Sequence, residues 1–424
     1  MNKLICTERL DLFEPNIYIG FLVQITGNAD AGAVAAAVKA AFAANEATMS
    51  KIVLTGNGEA YYEKLPQSNC TVSVCEDDWR DILRRNEKVP FSINTGELLR
   101  VFVITAKNGL SLFIMAHHLA GDGKAVTYFL EDIMTALVGI RLEYKPIRFV
   151  STDALPDASK LPLIFKWYAH LFNRRWKRTG RTFDWNDYAA VHHTYWHSRE
   201  SHIVFERFSP EEISAIRAYA KRIGATVNSY ITTAFMQADR KLGTVGIAVS
   251  VRDGNDKSMS NLVTGISVEH VYVSHSAFEE NVRRVHKKVQ CKLENPVVKY
   301  FVLRFIPLFN PGLIDSVLMC TYGLYDNKTS HKLANVMGYT GSNTRELGIT
   351  NLTKLDIPDT YGPYGLKNEL FIPPVVSYAR RIIGVSTMND GMTVSYHFMS
   401  DQDKDKEMAF FKRAVRIMKE ACVH

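Results

Sequence analysis

The chain has 424 residues, 46% of them hydrophobic and 22% charged, with 51 Lys and Arg against 44 Asp and Glu. That length supports two domain-sized cores, or two lobes sharing one, and the balance is that of a globular protein and excludes a disordered one. No run reaches the ~20 apolar residues that span a bilayer, and MNKLICTERLDLFEP puts charges where a signal peptide needs its apolar stretch.

The cysteines at 6, 70, 75, 291, 320 and 422 form no CxxC pair, and no His/Cys cluster has zinc-ligand spacing. The expectation is a reduced, cytoplasmic protein with no disulfide, metal or cofactor. The net charge of +7 is matched by one segment, in which Lys160, Lys166, Arg174, Arg175, Lys177, Arg178 and Arg181 occur without an acidic residue. The rest of the chain is balanced, so no nucleic-acid partner is expected.

Along the chain, the first 150 residues alternate strand-like and helix-like segments. Residues 17–25, IYIGFLVQI, predict a strand, and residues 31–46 an alanine-rich helix. Two apolar, β-prone runs, 98–106 and 111–116, flank KNG and predict a hairpin. Residues 124–139 follow with helical periodicity, placing Val126, Phe129, Leu130, Ile133 and Leu137 on one side. Residues 151–200, rich in aromatic and basic side chains, read as a connector carrying its own helix. A second αβ set starts near His202 with a strand and two helices, then a buried strand over 245–251. It ends in a hairpin around NDG and an amphipathic helix over 405–421. The division predicted is a lobe at 1–150, a connector at 151–200 and a lobe at 201–424.

One stretch stands apart. His117-His118-Leu119-Ala120-Gly121-Asp122-Gly123 lies between an apolar strand and a helix and fixes four residues over seven positions. A chance match in a chain of this composition is on the order of one in a thousand. Asp122 is suited to cap the helix, and the two glycines permit a tight backbone.

This stretch resembles the HHxxxDG acyltransferase superfamily, which includes peptide-synthetase condensation domains and chloramphenicol acetyltransferase. Further segments resemble it in order: Pro90-Phe91 with Gly96-Glu97-Leu98-Leu99-Arg100, Thr226-Val227-Asn228, Val251-Arg252 with Asn261-Leu262 and Gly265, and Ile349-Thr350-Asn351-Leu352. There are departures. Thr353 stands where the family's "TNLG" segment has glycine, and the early "RHExLRT" and plant "DFGWG" motifs are absent.

The resemblance implies a mixed α/β fold of two chloramphenicol-acetyltransferase-like lobes in a V, with the active site in a tunnel between them. It implies transfer of an acyl group from a thioester to a hydroxyl or amine, in a setting of secondary metabolism. The donor would be acyl-CoA or a phosphopantetheinyl acyl-carrier protein, a co-substrate and not a cofactor, and the acceptor a small molecule. His118 would be the general base, since an imidazole titrating near 6.5 in water can take a hydroxyl proton at neutral pH. His117 would pack behind it. Asp122 is open to two readings, a helix cap or an ion pair with Arg252. Gly123, Thr350 and Asn351 are candidates for stabilising the oxyanion or positioning substrate, with ordinary turn roles the alternative for Thr350 and Asn351. A stand-alone condensation enzyme forming amides, or a binding protein without turnover, would share the fold.

Two clusters lie outside the motif. His192, His193 and His197 fall outside a clear helix and read as surface or interface histidines more readily than as metal ligands. Residues 160–181 form an amphipathic segment with Phe165, Tyr168, Leu171 and Phe172 on one face. Its basic end suits solvent, an anionic membrane surface, an acidic carrier protein or the phosphates of coenzyme A.

Overall fold

The computed structural model describes residues 3–106, 109–340 and 346–420. The chain opens with β1 (Lys3–Leu4), then a buried irregular segment with one 3₁₀ turn, and enters β2 (Tyr18–Thr26). Helix α1 (Ala31–Ala44) is capped by Asp30, whose carboxylate accepts from the Ala33 N–H at 2.8 Å. Strands β3 (Ser50–Leu54), β4 (Ala60–Lys64) and β5 (Thr71–Cys75) precede helix α2 (Trp79–Asn86). The predicted hairpin is β6 (Leu99–Ala106) and β7 (Gly109–His117); its turn, residues 107–108, lies outside the described residues. Helix α3 (Gly123–Leu137) follows the motif.

The connector carries two helices where the sequence predicted one: α4 (Leu163–Trp176) and α5 (Trp185–Trp196). The second begins at a capping box made by Asp184 and Asp187, and it contains His192 and His193, which the sequence reading had placed outside a helix. Next come β8 (Ser201–Phe208), α6 (Pro210–Arg222), α7 (Val227–Ala238), β9 (Thr244–Ser250), β10 (Val263–Glu269) and α8 (Phe278–Glu294). A helical stretch, α9 (Pro296–Lys299), α10 (Phe301–Phe305), α11 (Pro311–Thr321) and α12 (Lys328–Met337), leads to β11 (Leu347–Lys354). The chain closes with β12 (Thr360–Tyr361), β13 (Tyr364–Ile372), β14 (Arg381–Met388), β15 (Gly391–Met399) and α13 (Lys404–Glu420). The β14–β15 turn is Asn389-Asp390, both with left-handed φ (49° and 61°), the backbone of a two-residue hairpin that matches strand twist.

These strands make two six-stranded mixed sheets, ordered β12-β13-β2-β7-β6-β5 and β10-β9-β11-β14-β15-β8, plus a small β1-β4-β3 sheet. Apolar residues of both sheets build the cores. Val245, Ile247, Leu347, Ile349, Ile383 and Val385 face α7, α8 and α13 in the second, while α1 and α3 cover the first. Residues 360–372, which the sequence division assigned to the second lobe, leave it and pair β13 against β2 in the first sheet. Gly384 permits this crossing, since a Cβ there would lie 2.6 Å from Pro373 Cδ and 2.8 Å from the Phe371 carbonyl. Among the described residues, no single helix is long and apolar enough to cross a membrane.

Candidate active site

Strand β7 ends at His117, and the chain turns through a 3₁₀ turn, His118–Ala120, before α3. The turn is held from several sides. His118 N–H donates to the Ile17 carbonyl (3.0 Å), Gly121 N–H to the His118 carbonyl (3.1 Å), and the Tyr62 hydroxyl to the Leu119 carbonyl (2.7 Å). The two histidines point apart. His117 is 1% exposed, its Nδ1 accepts from Leu119 N–H (3.2 Å), and its ring meets Phe91 edge-on. Burial, then the neighbouring His118 and Arg100, pushes its pKa down to about 3, so it stays neutral. His118 instead lines a cavity of about 220 Å³ between the two sheets.

Asp122 is both a cap and an ion-pair partner. One carboxylate oxygen accepts from Ala125 N–H (2.9 Å), capping α3; the other accepts from Arg252 Nη2 (3.1 Å) and Leu262 N–H (2.9 Å). Arg252 in turn gathers its own loop, donating to the carbonyls of Asp256, Ser258 and Ser260. Both side chains are below a tenth exposed, so each supplies the charge that makes the other's burial tolerable. Gly123 opens α3 on the cavity. A Cβ there would lie 2.7 Å from Leu352 and 3.0 Å from Phe371, so glycine permits β13 to approach.

Thr350 and Asn351 separate as alternate residues of a strand do. Thr350 lines the cavity. Asn351 does not: its side chain donates to Asn228 (3.4 Å) and accepts from Thr353 N–H (2.7 Å), the turn role. Of the second histidine cluster, His192 is buried against Trp196 while His193 and His197 face solvent, so the three do not converge.

The structure adds two residues to the site. Asp11, in the buried segment before β2, puts Oδ2 3.8 Å from His118 Nδ1, which is buried and has no hydrogen-bond partner. Asn261 holds that carboxylate from the second lobe through its Nδ2 at 2.9 Å. Burial raises the Asp11 pKa, opposed by His118 and by the Asn261 hydrogen bond. The segment itself is pinned by Arg9, which pairs in the interior with Asp315 of α11. The only sequence signal was Glu8, Arg9, Asp11 and Glu14 interleaved with Leu10, Leu12 and Phe13, a charge density unusual for a buried stretch.

The remaining walls are mostly apolar, with Thr7, Thr264 and Tyr378 among them. Ile17 and Ile19 of the first lobe face Ala248, Val263 and Ile382 of the second, with Val302 and Leu303 of α10 alongside. Gly246, Gly265 and Gly348 also lie on this face, so the sheet floor beneath the cavity carries little side-chain bulk.

The comparisons bear on this geometry. A structure of polyketide synthase associated protein 5 from Mycobacterium tuberculosis matches over 99% of this chain and 100% of its own, at TM-score 0.63 and 11% identity. The condensation domain from the monacolin K polyketide synthase MokA matches over 100% and 99%, at 0.64 and 13%. The chain has the two-lobed condensation-domain fold. The epimerization domain from the third module of tyrocidine synthetase B has it too, at TM-score 0.62 and 11% identity over 100% of this chain and 97% of that one. No family model and no curated protein matches the sequence. A condensation-like fold thus serves different named domains, so the reaction must be argued from the site.

Proposed function

We propose that this condensation-like protein is an acyltransferase, with His118 as general base. The observation that carries the reading is the His118 imidazole in a mostly apolar cavity between the lobes, with the half-buried Asp11 carboxylate 3.8 Å from its Nδ1. That arrangement leaves Nε2 for substrate. As the acceptor's oxygen or nitrogen attacks the thioester carbonyl carbon, Nε2 takes the acceptor's proton. Collapse of the tetrahedral adduct breaks the C–S bond, and the departing thiolate receives that proton. The thioester is already activated, so the chain needs no nucleophile of its own. Thr350 is the candidate donor to the developing oxyanion. Donor and acceptor held together in one cavity react as an effectively unimolecular pair. The donor is an acyl-CoA or an acyl-carrier thioester, and the acceptor a small alcohol or amine.

The test is free-thiol release from a panel of acyl-CoA donors with pooled alcohols and amines, comparing wild type with His118→Ala. Acceptor-dependent release in the wild type and its loss by at least about 100-fold in the variant are expected. Equal rates in the two proteins would overturn the base assignment.

A further inference from the structure

Helix α4 shows two unlike faces. Its inner face is fully used: Phe165 meets Phe301 and Phe305 edge-on at 5.4 and 6.0 Å, Phe172 meets Phe309 at 6.3 Å, and Ala169 and Trp176 are buried. On the outer face Leu163, Ile164 and Trp167 are 79%, 61% and 58% exposed. No other stretch of five described residues exposes three large apolar side chains. Single exposed apolar residues are ordinary, but a cluster of this kind marks an interaction site.

The charges complete the pattern. Lys166, Arg174, Arg175, Lys177 and Arg178 are exposed, and among the described residues no carboxylate pairs with any of them. Leu163, Trp167, His170 and Arg174 follow one another at spacings of four, three and four, so they share a stripe about 16 Å long. An anionic bilayer meets both halves of that stripe. Phosphate headgroups take the basic end, and the boundary with the acyl chains takes leucine, isoleucine and the amphipathic indole. An acidic protein surface would satisfy the cations but offers no continuous apolar layer into which Leu163, Ile164 and Trp167 could all insert.

The patch also stands in a definite relation to the cavity. Val302 and Leu303 of α10 line the cavity, while Phe301 and Phe305 of the same short helix pack beneath Phe165 of α4. One helix therefore separates the exposed face from the site. We infer that the outer face of α4 docks the protein on an anionic phospholipid surface and so holds the cavity next to a source of apolar substrate.

The full chain would be sedimented with vesicles of phosphatidylcholine alone and of phosphatidylcholine containing phosphatidylglycerol, with tryptophan emission followed in parallel. Binding to the anionic vesicles only, with a blue shift, is expected. The triple variant Leu163→Ser/Ile164→Ser/Trp167→Ser and, separately, Arg174→Glu/Arg175→Glu/Lys177→Glu should each weaken partitioning by about tenfold or more. Those side chains are exposed, so both variants should melt with the wild type and release thiol from soluble donors at its rate. Absence of binding to anionic vesicles would overturn the inference. So would binding that survives both variants, or capture of an acidic carrier protein by this face without vesicle binding.

Discussion

Thr353 sits at φ 64°, in the left-handed region, on the bulge where β11 leaves its register with β14. A β-branched residue there costs roughly 1–2 kcal/mol, because its Cβ crowds the following carbonyl. This is the position at which the family pattern carries glycine, so the departure seen in the sequence has a backbone cost. Thr353→Gly should raise stability by about 0.5–1 kcal/mol in urea melts, the relief exceeding the added freedom of the unfolded chain. A lower midpoint would mean that the strain is not there. Asp122 and Arg252 behave differently, since each leaves the other buried and charged. Asp122→Ala and Arg252→Ala should each cost about 3–5 kcal/mol, and the double variant clearly less than their sum. Strict additivity in the same melts would show that the pair does not interact. On the proposed mechanism Asp11 acts through His118. Asp11→Asn should lower kcat for thiol release by about tenfold or more with little change in KM, yet change nothing when His118 is already alanine. An effect of equal size in both backgrounds would assign Asp11 a structural role.

At the level of elements, what the sequence made legible was local. The β6–β7 hairpin, the turn bearing His118 and the capped start of α3 lie within one continuous stretch, each with its own periodicity or cap. Asp11 was hidden because its partner Asn261 is 250 residues away, and β13 because its pairing with β2 needs a strand from the far end of the chain. Neither follows from spacing. The connector's second helix was missed because its buried face is Tyr188, Val191, His192, Tyr195 and Trp196, mostly rings with polar tips that do not read as an apolar stripe; Tyr188 and Trp196 donate to the Phe91 and Pro15 carbonyls. Strand β10 gives this level its test. A Cβ on Gly265 would meet only the Ile247 carbonyl, at 3.8 Å, while the residue itself lines the cavity. Gly265→Val should therefore fold at least as well as the wild type, valine being favoured in strands. Its side chain would occupy space beside His118, and kcat/KM should fall by about tenfold or more, most for bulky donors. Unchanged kinetics with every donor would place the acyl group elsewhere.

Buried ionisable groups set the response of the whole molecule to pH. Glu14, in the segment before β2, accepts from the backbone N–H and the hydroxyl of Ser377, between β13 and β14, at 3.1 and 2.6 Å. Burial pushes its pKa up to about 8 against these two hydrogen bonds, and Asp11 adds to the rise. The native state therefore holds a proton that the unfolded chain releases near pH 4.5. This contribution is complete below about pH 4.5 and is lost as pH climbs through 8. Three buried histidines pull the other way. His117 is driven by burial down to about 3, and His192 and His397 to about 4. The unfolded chain takes up protons at these sites below about 6.5 while the native state refuses them, so stability also falls as pH drops from there. Glu14→Gln removes the Glu14 share of the alkaline limb, because a neutral amide cannot ionise, and leaves the shares of Glu87 and Glu369, whose pKa values burial also pushes up to about 7. Thermal melts should therefore show wild type losing midpoint between pH 6.5 and 8.5 while the variant loses clearly less. If the two curves run parallel on the alkaline side, Glu14 is ionised in the native protein and the link between the first lobe and the β13–β14 loop is that of a charged carboxylate.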